Sequence, residues 1–73
     1  MAPDPATQIR RLSNRQREVL FLTCKGLRSG EIGRQLGIAE RTVKGYLTQL
    51  FLIFDVTNRT ELVGGLTDAV LLQ

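Results

Sequence analysis

An all-helical domain of four helices is predicted by three features of the sequence. Apolar residues recur at helical rather than alternating spacing, capping residues precede three of these stretches, and glycines close the first two. With 73 residues the chain makes one domain at most, near the size where a single core is marginal, so a partner subunit is expected to add stability. Hydrophobic residues at 42% and charged residues at 23% fit a folded domain rather than a disordered segment. Residues 1–11 read as a flexible N-terminal lead, and residues 12–73 as the domain proper.

The first predicted helix covers about residues 14–25. Ser13 with Gln16 three residues on is a capping-box pair, Val19, Leu20 and Leu22 keep one face inward, and Gly26 supplies a left-handed stop. The second, about 29–36, starts at Ser29 as its cap, carries Glu31 in the first turn, and ends at Gly37. The third, about 40–54, repeats Val43, Leu47, Leu50 and Phe54 at i, i+4, i+7 and i+11. The fourth, about 59–71, is announced by Asn58 with Glu61 and carries Leu62, Leu66 and Val70 as a stripe. Gly64 and Gly65 interrupt it, which leaves two explanations open: a bend, or the close approach of another backbone. A short helix, a glycine turn and a longer helix with basic residues in its first turns is the helix-turn-helix pattern, whose second helix enters a major groove.

The net charge of +3 hides an asymmetry. Residues 8–44 hold nine basic side chains against three acids, whereas residues 45–73 hold Arg59 against Asp55, Glu61 and Asp68. The first half suits a polyanion. Aromatic residues are only 5% and Trp is absent, which disfavours a stacking platform for single strands and favours a duplex. No histidine is present and Cys24 is the lone cysteine, so neither a histidine relay nor a zinc site is expected, no cofactor is implied, and an enzymatic role is disfavoured. A reducing cytoplasm suits the single thiol. The longest apolar run, Leu50 to Phe54, is far short of the roughly 20 residues that span a bilayer, so no membrane association is expected.

The residues resemble the LuxR/GerE (also NarL/FixJ effector) helix-turn-helix domains of bacterial regulators. The family's Leu-Thr-x-Arg-Glu-x-Glu-Val-Leu appears as Leu12-Ser13-Asn14-Arg15-Gln16-Arg17-Glu18-Val19-Leu20, and its Gly…Glu-Ile-Ala-x-x-Leu as Gly26 and then Glu31-Ile32-Gly33-Arg34-Gln35-Leu36. Thr42-Val43-Lys44 and Val56-Thr57-Asn58-Arg59 match its Thr-Val-Lys and Val-x-x-Arg. Four blocks at family spacing make a specific signal.

The resemblance implies a four-helix domain whose third helix reads the major groove and whose fourth pairs with its counterpart in a dimer. It places Lys44, Gly45 and Thr48 at base-facing positions, and Arg41 and Thr42 where phosphate is gripped. Arg28 and Ser29 fall at the second helix's N-terminus, where backbone N–H groups and a basic side chain suit a phosphate. Ala39 stands where the family caps with Ser, and Tyr46 where His is common; packing of its ring on the second helix is expected there rather than a base contact. Leu52-Ile53-Phe54 replaces the family's Arg-Lys-Leu. The run Leu50-Phe51-Leu52-Ile53-Phe54 is then apolar around the whole helix, which one small core is not expected to cover, and Phe21 is a candidate to extend that patch.

Sequence-specific duplex DNA binding by a bacterial transcription regulator, as a homodimer, is the function these residues favour. The alternative is a protein-interaction module of the same fold that captures a related regulator. Leu52, Ile53, Leu62, Leu66 and Val70 are the expected dimer or partner interface. A receiver domain, a sensor domain or another regulator is a further partner to consider.

Overall fold

In the computed structural model, which describes residues 4–71, the helix behind Ser13 starts for the reason its sequence gives. Ser13 Oγ accepts from the Gln16 N–H at 3.1 Å, while Gln16 Oε1 accepts from the Ser13 N–H at 2.9 Å, closing both halves of a capping box. This helix, the second in chain order, is α2, Asn14–Cys24; around it lie α1 (Pro5–Arg11), α3 (Ser29–Leu36), α4 (Glu40–Ile53) and α5 (Arg59–Leu71). The third predicted helix is therefore α4.

The additional helix α1 corrects the expectation of a flexible lead over residues 1–11, of which residues 1–3 lie outside the described residues. Asp4 Oδ1 accepts from the Thr7 N–H at 2.8 Å, and Pro5 opens the first turn with its φ already set. Seven residues are too few to hold a helix alone. Tertiary burial stabilises it: Ile9 and Leu12 enter the core, and α1 lies against α5.

Helix ends follow local chemistry throughout. After α2, Gly26 takes φ +98°, and the Leu27 N–H returns to the Leu22 carbonyl at 3.1 Å while Gly26 N–H reaches Thr23. α4 ends in the same double bond pattern, Val56 to Phe51 at 2.9 Å and Asp55 to Leu52 at 3.4 Å, with Asp55 rather than glycine at φ +55°. At α3 the expected cap moves by one residue. Arg28 holds the extended cap position, its N–H donates to Glu31 Oε1 at 2.9 Å, and Ser29 is already the first helical residue. Glu31, three residues beyond Arg28, decides that register.

α5 begins with Asn58 Oδ1 accepting from the Glu61 N–H at 2.9 Å, while Glu61 Oε1 collects the Thr57 N–H at 3.2 Å, the Thr57 hydroxyl and the Asn58 amide. The helix runs unbroken through Gly64 and Gly65. A Cβ at either glycine meets no atom of another element within 4 Å, so of the two explanations left open, a close approach by this chain's own backbone does not occur. Arg59 Nη2 donates to the Leu27 carbonyl at 2.6 Å, which fastens the start of α5 to the turn between α2 and α3.

The core gathers one face of every helix: Ile9 from α1, Val19 and Leu20 from α2, Ile32 from α3, Val43, Leu47 and Leu50 from α4, and Leu62, Leu66 and Val70 from α5. The last three correct an expectation. They fill this chain's own core, since the remaining four helices leave that side of the bundle open and α5 closes it, so they offer nothing to a partner. Thr23 is the one buried polar side chain among the described residues, and its hydroxyl donates to the Val19 carbonyl at 2.8 Å. The turn leading into α4 folds back tightly onto α3 at Gly33, where an added Cβ would stand 2.6 Å from the Ile38 carbonyl oxygen.

Two outcomes follow. Ala39 holds a cap conformation (φ −68°, ψ 148°) without a side-chain bond, so Ala39→Ser is expected to stabilise the fold by about 1 kcal/mol, raising Tm by roughly 4–8 °C in thermal unfolding. The Thr7 N–H holds the Asp4 carboxyl below its ordinary value, so the cap's contribution is complete above that value and is lost as pH falls through the lowered one. Amide protection factors at Thr7 and Gln8 are expected to fall below about pH 4; protection unchanged down to about pH 2 contradicts this.

Candidate nucleic-acid interface

Burial of Val43, Leu47 and Leu50 turns the opposite side of α4 outward. Glu40, Arg41, Thr42, Lys44, Gly45, Thr48 and Gln49 are all exposed. The expected base-facing residues Lys44, Gly45 and Thr48 thus share one helix with Arg41 and Thr42, which occupy its first turn. Arg28 and Ser29 stand apart from them at the start of α3, the helix packed on α4. Arg28 is exposed and Ser29 is half-buried.

Local bonds shape what each side chain offers. Lys44 Nζ lies 3.3 Å from Glu40 Oε2, one turn back, with both side chains more than half exposed. A pair so exposed contributes at most about 1 kcal/mol, so Lys44 exchanges Glu40 for a stronger anion at little cost. Thr48 Oγ1 donates to the Lys44 carbonyl at 3.1 Å, leaving its oxygen free to accept. Gly45 is open, with no atom within 4 Å of a built Cβ, and it lines a shallow recess with Thr42, Tyr46 and Gln49. Tyr46 is half-buried against the core.

Gln49 is a candidate the sequence reading missed. It follows Thr42 and Gly45 at i+7 and i+4, a spacing that places all three on one face and could have flagged it. Its Oε1 accepts from Gln16 Nε2 at 3.0 Å, which leaves the Gln49 amide hydrogens facing solvent and ties α4 to the start of α2. The free cations are equally informative. Arg11, Arg28, Arg34 and Arg41 are exposed and have no ion pair or side-chain hydrogen bond among the described residues, whereas Arg59 is committed to the fold. Unpaired guanidinium groups suit phosphate geometry.

The apolar end of α4 is largely covered from within. Leu50 is buried and Phe51 and Phe54 pack on the core, so the expectation of an uncovered circumference reduces to Leu52, 79% exposed, and Ile53, 38% exposed. Phe21 is also exposed, yet it lines a different recess, with Ile9, Arg17, Leu20 and Val70, and Lys25 Nζ stands 5.4 Å from its ring centroid. Burial pushes the Cys24 thiol above its ordinary value, so it is held protonated and takes no part in the exposed face. Among the described residues no cluster of three metal-binding side chains occurs, and no helix is long and apolar enough to cross a membrane.

Comparison with known proteins agrees with this architecture. Residues 10–64 match the family of bacterial regulatory proteins of the luxR type, GerE. The chain is 41% identical over 63 residues to the two-component response regulator PprB of Pseudomonas aeruginosa, covering 86% of this chain and 23% of that protein. It is 43% identical over 53 residues to the "Putative HTH-type transcriptional regulator YhjB" of Escherichia coli (strain K12), covering 73% of this chain and 26% of that protein. The chain therefore spans about a quarter of the length of these curated relatives. No solved structure matches it. An all-helical helix-turn-helix architecture with these motif blocks, matched over three-quarters of its length, belongs to the luxR family of bacterial regulatory proteins.

Proposed function

We propose that this domain binds duplex DNA in a sequence-specific way as part of a transcription regulator, with α4 in the major groove and two copies on a pseudo-palindromic site. The observation that carries the reading is the exposed face of α4, where Lys44, Gly45, Thr48 and Gln49 stand clear of the core, with unpaired Arg41 in the first turn of the same helix and unpaired Arg28 at the start of the neighbouring α3. Lys44, Thr48 and Gln49 supply the hydrogen-bonding groups that discriminate base edges, and Gly45 lets the helix backbone lie close to the groove floor. Arg28, Ser29, Arg41 and Thr42 hold phosphates and set orientation without reading sequence. Nothing in this reading calls for a cofactor or a catalytic step, and a reducing cytoplasm suits the buried free thiol.

Of the residues expected at a dimer interface, Leu52 and Ile53 remain exposed and are the pair proposed for self-association. The same pair favours a second reading, a module of this fold that captures a related regulator. Duplex affinity separates the two, because a pure capture module shows none beyond the non-specific level. Attachment to a receiver or sensor domain is part of the proposal, since the matched relatives are about four times longer.

Selection of bound sequences from a random duplex pool is expected to return two half-sites spaced by about one helical turn or a multiple of it. On the selected duplex, Lys44→Ala is expected to weaken binding by about 1–3 kcal/mol in an anisotropy titration. Affinity unchanged by that substitution removes α4 as the reading helix. The paired change Leu52→Lys and Ile53→Lys is expected to lower self-association in sedimentation while leaving helical content intact. Association at the original strength assigns the dimer contact to another face.

A further inference from the structure

Most of α1 precedes the residues matched to the family, and its side chains have no role in the reading above. Its orientation is fixed at two points. Ile9 and Leu12 are buried in the core, and Gln8 Nε2 donates to the Ile53 carbonyl at 3.2 Å. Arg11 stands three residues after Gln8 and so shares its face of the helix. It lines a shallow recess with Gln8, Gln16 and Ile53. Gln16 bonds Gln49 at 3.0 Å, and Gln49 lines the next recess with Thr42 and Gly45. A continuous surface therefore leads from the exposed face of α4, over the start of α2, to Arg11.

The cations of α1 and of the start of α2 are not equally available. Arg10 donates to Thr7 Oγ1 at 3.2 Å, Arg17 donates to Asn14 Oδ1 at 2.6 Å, and Arg15 faces Glu18 at 3.7 Å. Arg11 alone of these four has no such partner among the described residues, and it is exposed. Its neighbour Ile53 offers that flank no charge.

We propose that Arg11 grips a backbone phosphate of the same duplex, extending the contact surface from α4 across the start of α2 to α1. The proposal rests on the DNA-binding reading and adds a sequence-independent clamp to it. A planar guanidinium fork matches two phosphate oxygens, and its docking through Ile9, Leu12 and Gln8 sets it in place before the duplex arrives.

The test is the salt dependence of binding to the selected duplex, measured by anisotropy for the unsubstituted chain, Arg11→Ala, Arg11→Lys and Lys25→Ala. Lys25 follows α2 at its far end, over the Phe21 ring, and controls for loss of one positive charge. Arg11→Ala is expected to reduce the slope of log K against log salt by about 0.9 per bound copy. Its deficit against the unsubstituted chain then shrinks about threefold between about 50 and about 200 mM salt. Arg11→Lys keeps the slope, because charge governs counterion release, and Lys25→Ala keeps it because that charge touches no phosphate. An Arg11→Ala slope equal to that of Lys25→Ala, or an Arg11→Lys slope reduced as far as that of Arg11→Ala, overturns the clamp. Either result leaves the DNA reading intact while Lys44→Ala still weakens binding. An unsubstituted chain without salt-sensitive binding overturns both.

Discussion

Every property of the candidate interface depends on one constraint, that α4 buries a single face. Val43 and Leu50 are fully enclosed and Leu47 nearly so, held by α2, α3 and α5. Each such side chain removes roughly 1.5–3 kcal/mol worth of apolar surface from water, far more than any single exposed bond on the helix contributes. Rotation of α4 about its axis is thereby forbidden, and Lys44, Gly45 and Thr48 have nowhere to face but outward. Gly33 sets the other degree of freedom, because the Ile38 carbonyl approaches within a distance that no side chain at that position would allow unshifted.

The electrostatics of the surface follow from what the fold does not use. A basic surplus in the first half of the chain says little by itself, since several of those residues are occupied. Arg10 donates to Thr7, Arg17 to Asn14, Arg15 faces Glu18, and Lys25 covers Phe21. The guanidinium groups left over at Arg11, Arg28, Arg34 and Arg41 are the ones that can exchange water for phosphate without first breaking a bond. Lys44 is intermediate, because its partner Glu40 is weakly held and displaceable.

A domain this small has little core to spare, and the structure shows how it economises. α1 adds Ile9 and Leu12 to a bundle that would otherwise leave the groove between α2 and α5 open to water. α5 spends its whole apolar stripe on the same purpose. What remains exposed and apolar on α4 is narrow, confined to Leu52 and the edge of Ile53.

The sequence by itself determined the local events. The starts of α2 and α5, the glycine stops after α2 and α3, the uncapped start of α4 and its period of buried residues were all legible, because capping and helical periodicity act within a few residues. The base-facing and phosphate positions came from the family resemblance, and Gln49 escaped because spacing on one helix face was not followed far enough. Only the tertiary structure decided which surfaces stay exposed. An apolar stripe requires cover without naming what covers it, so Leu62, Leu66 and Val70, expected from the sequence at a partner interface, lie in the chain's own core. The short helix α1 likewise exists through burial of Ile9 against segments distant in the chain, a stabilisation that no local pattern records.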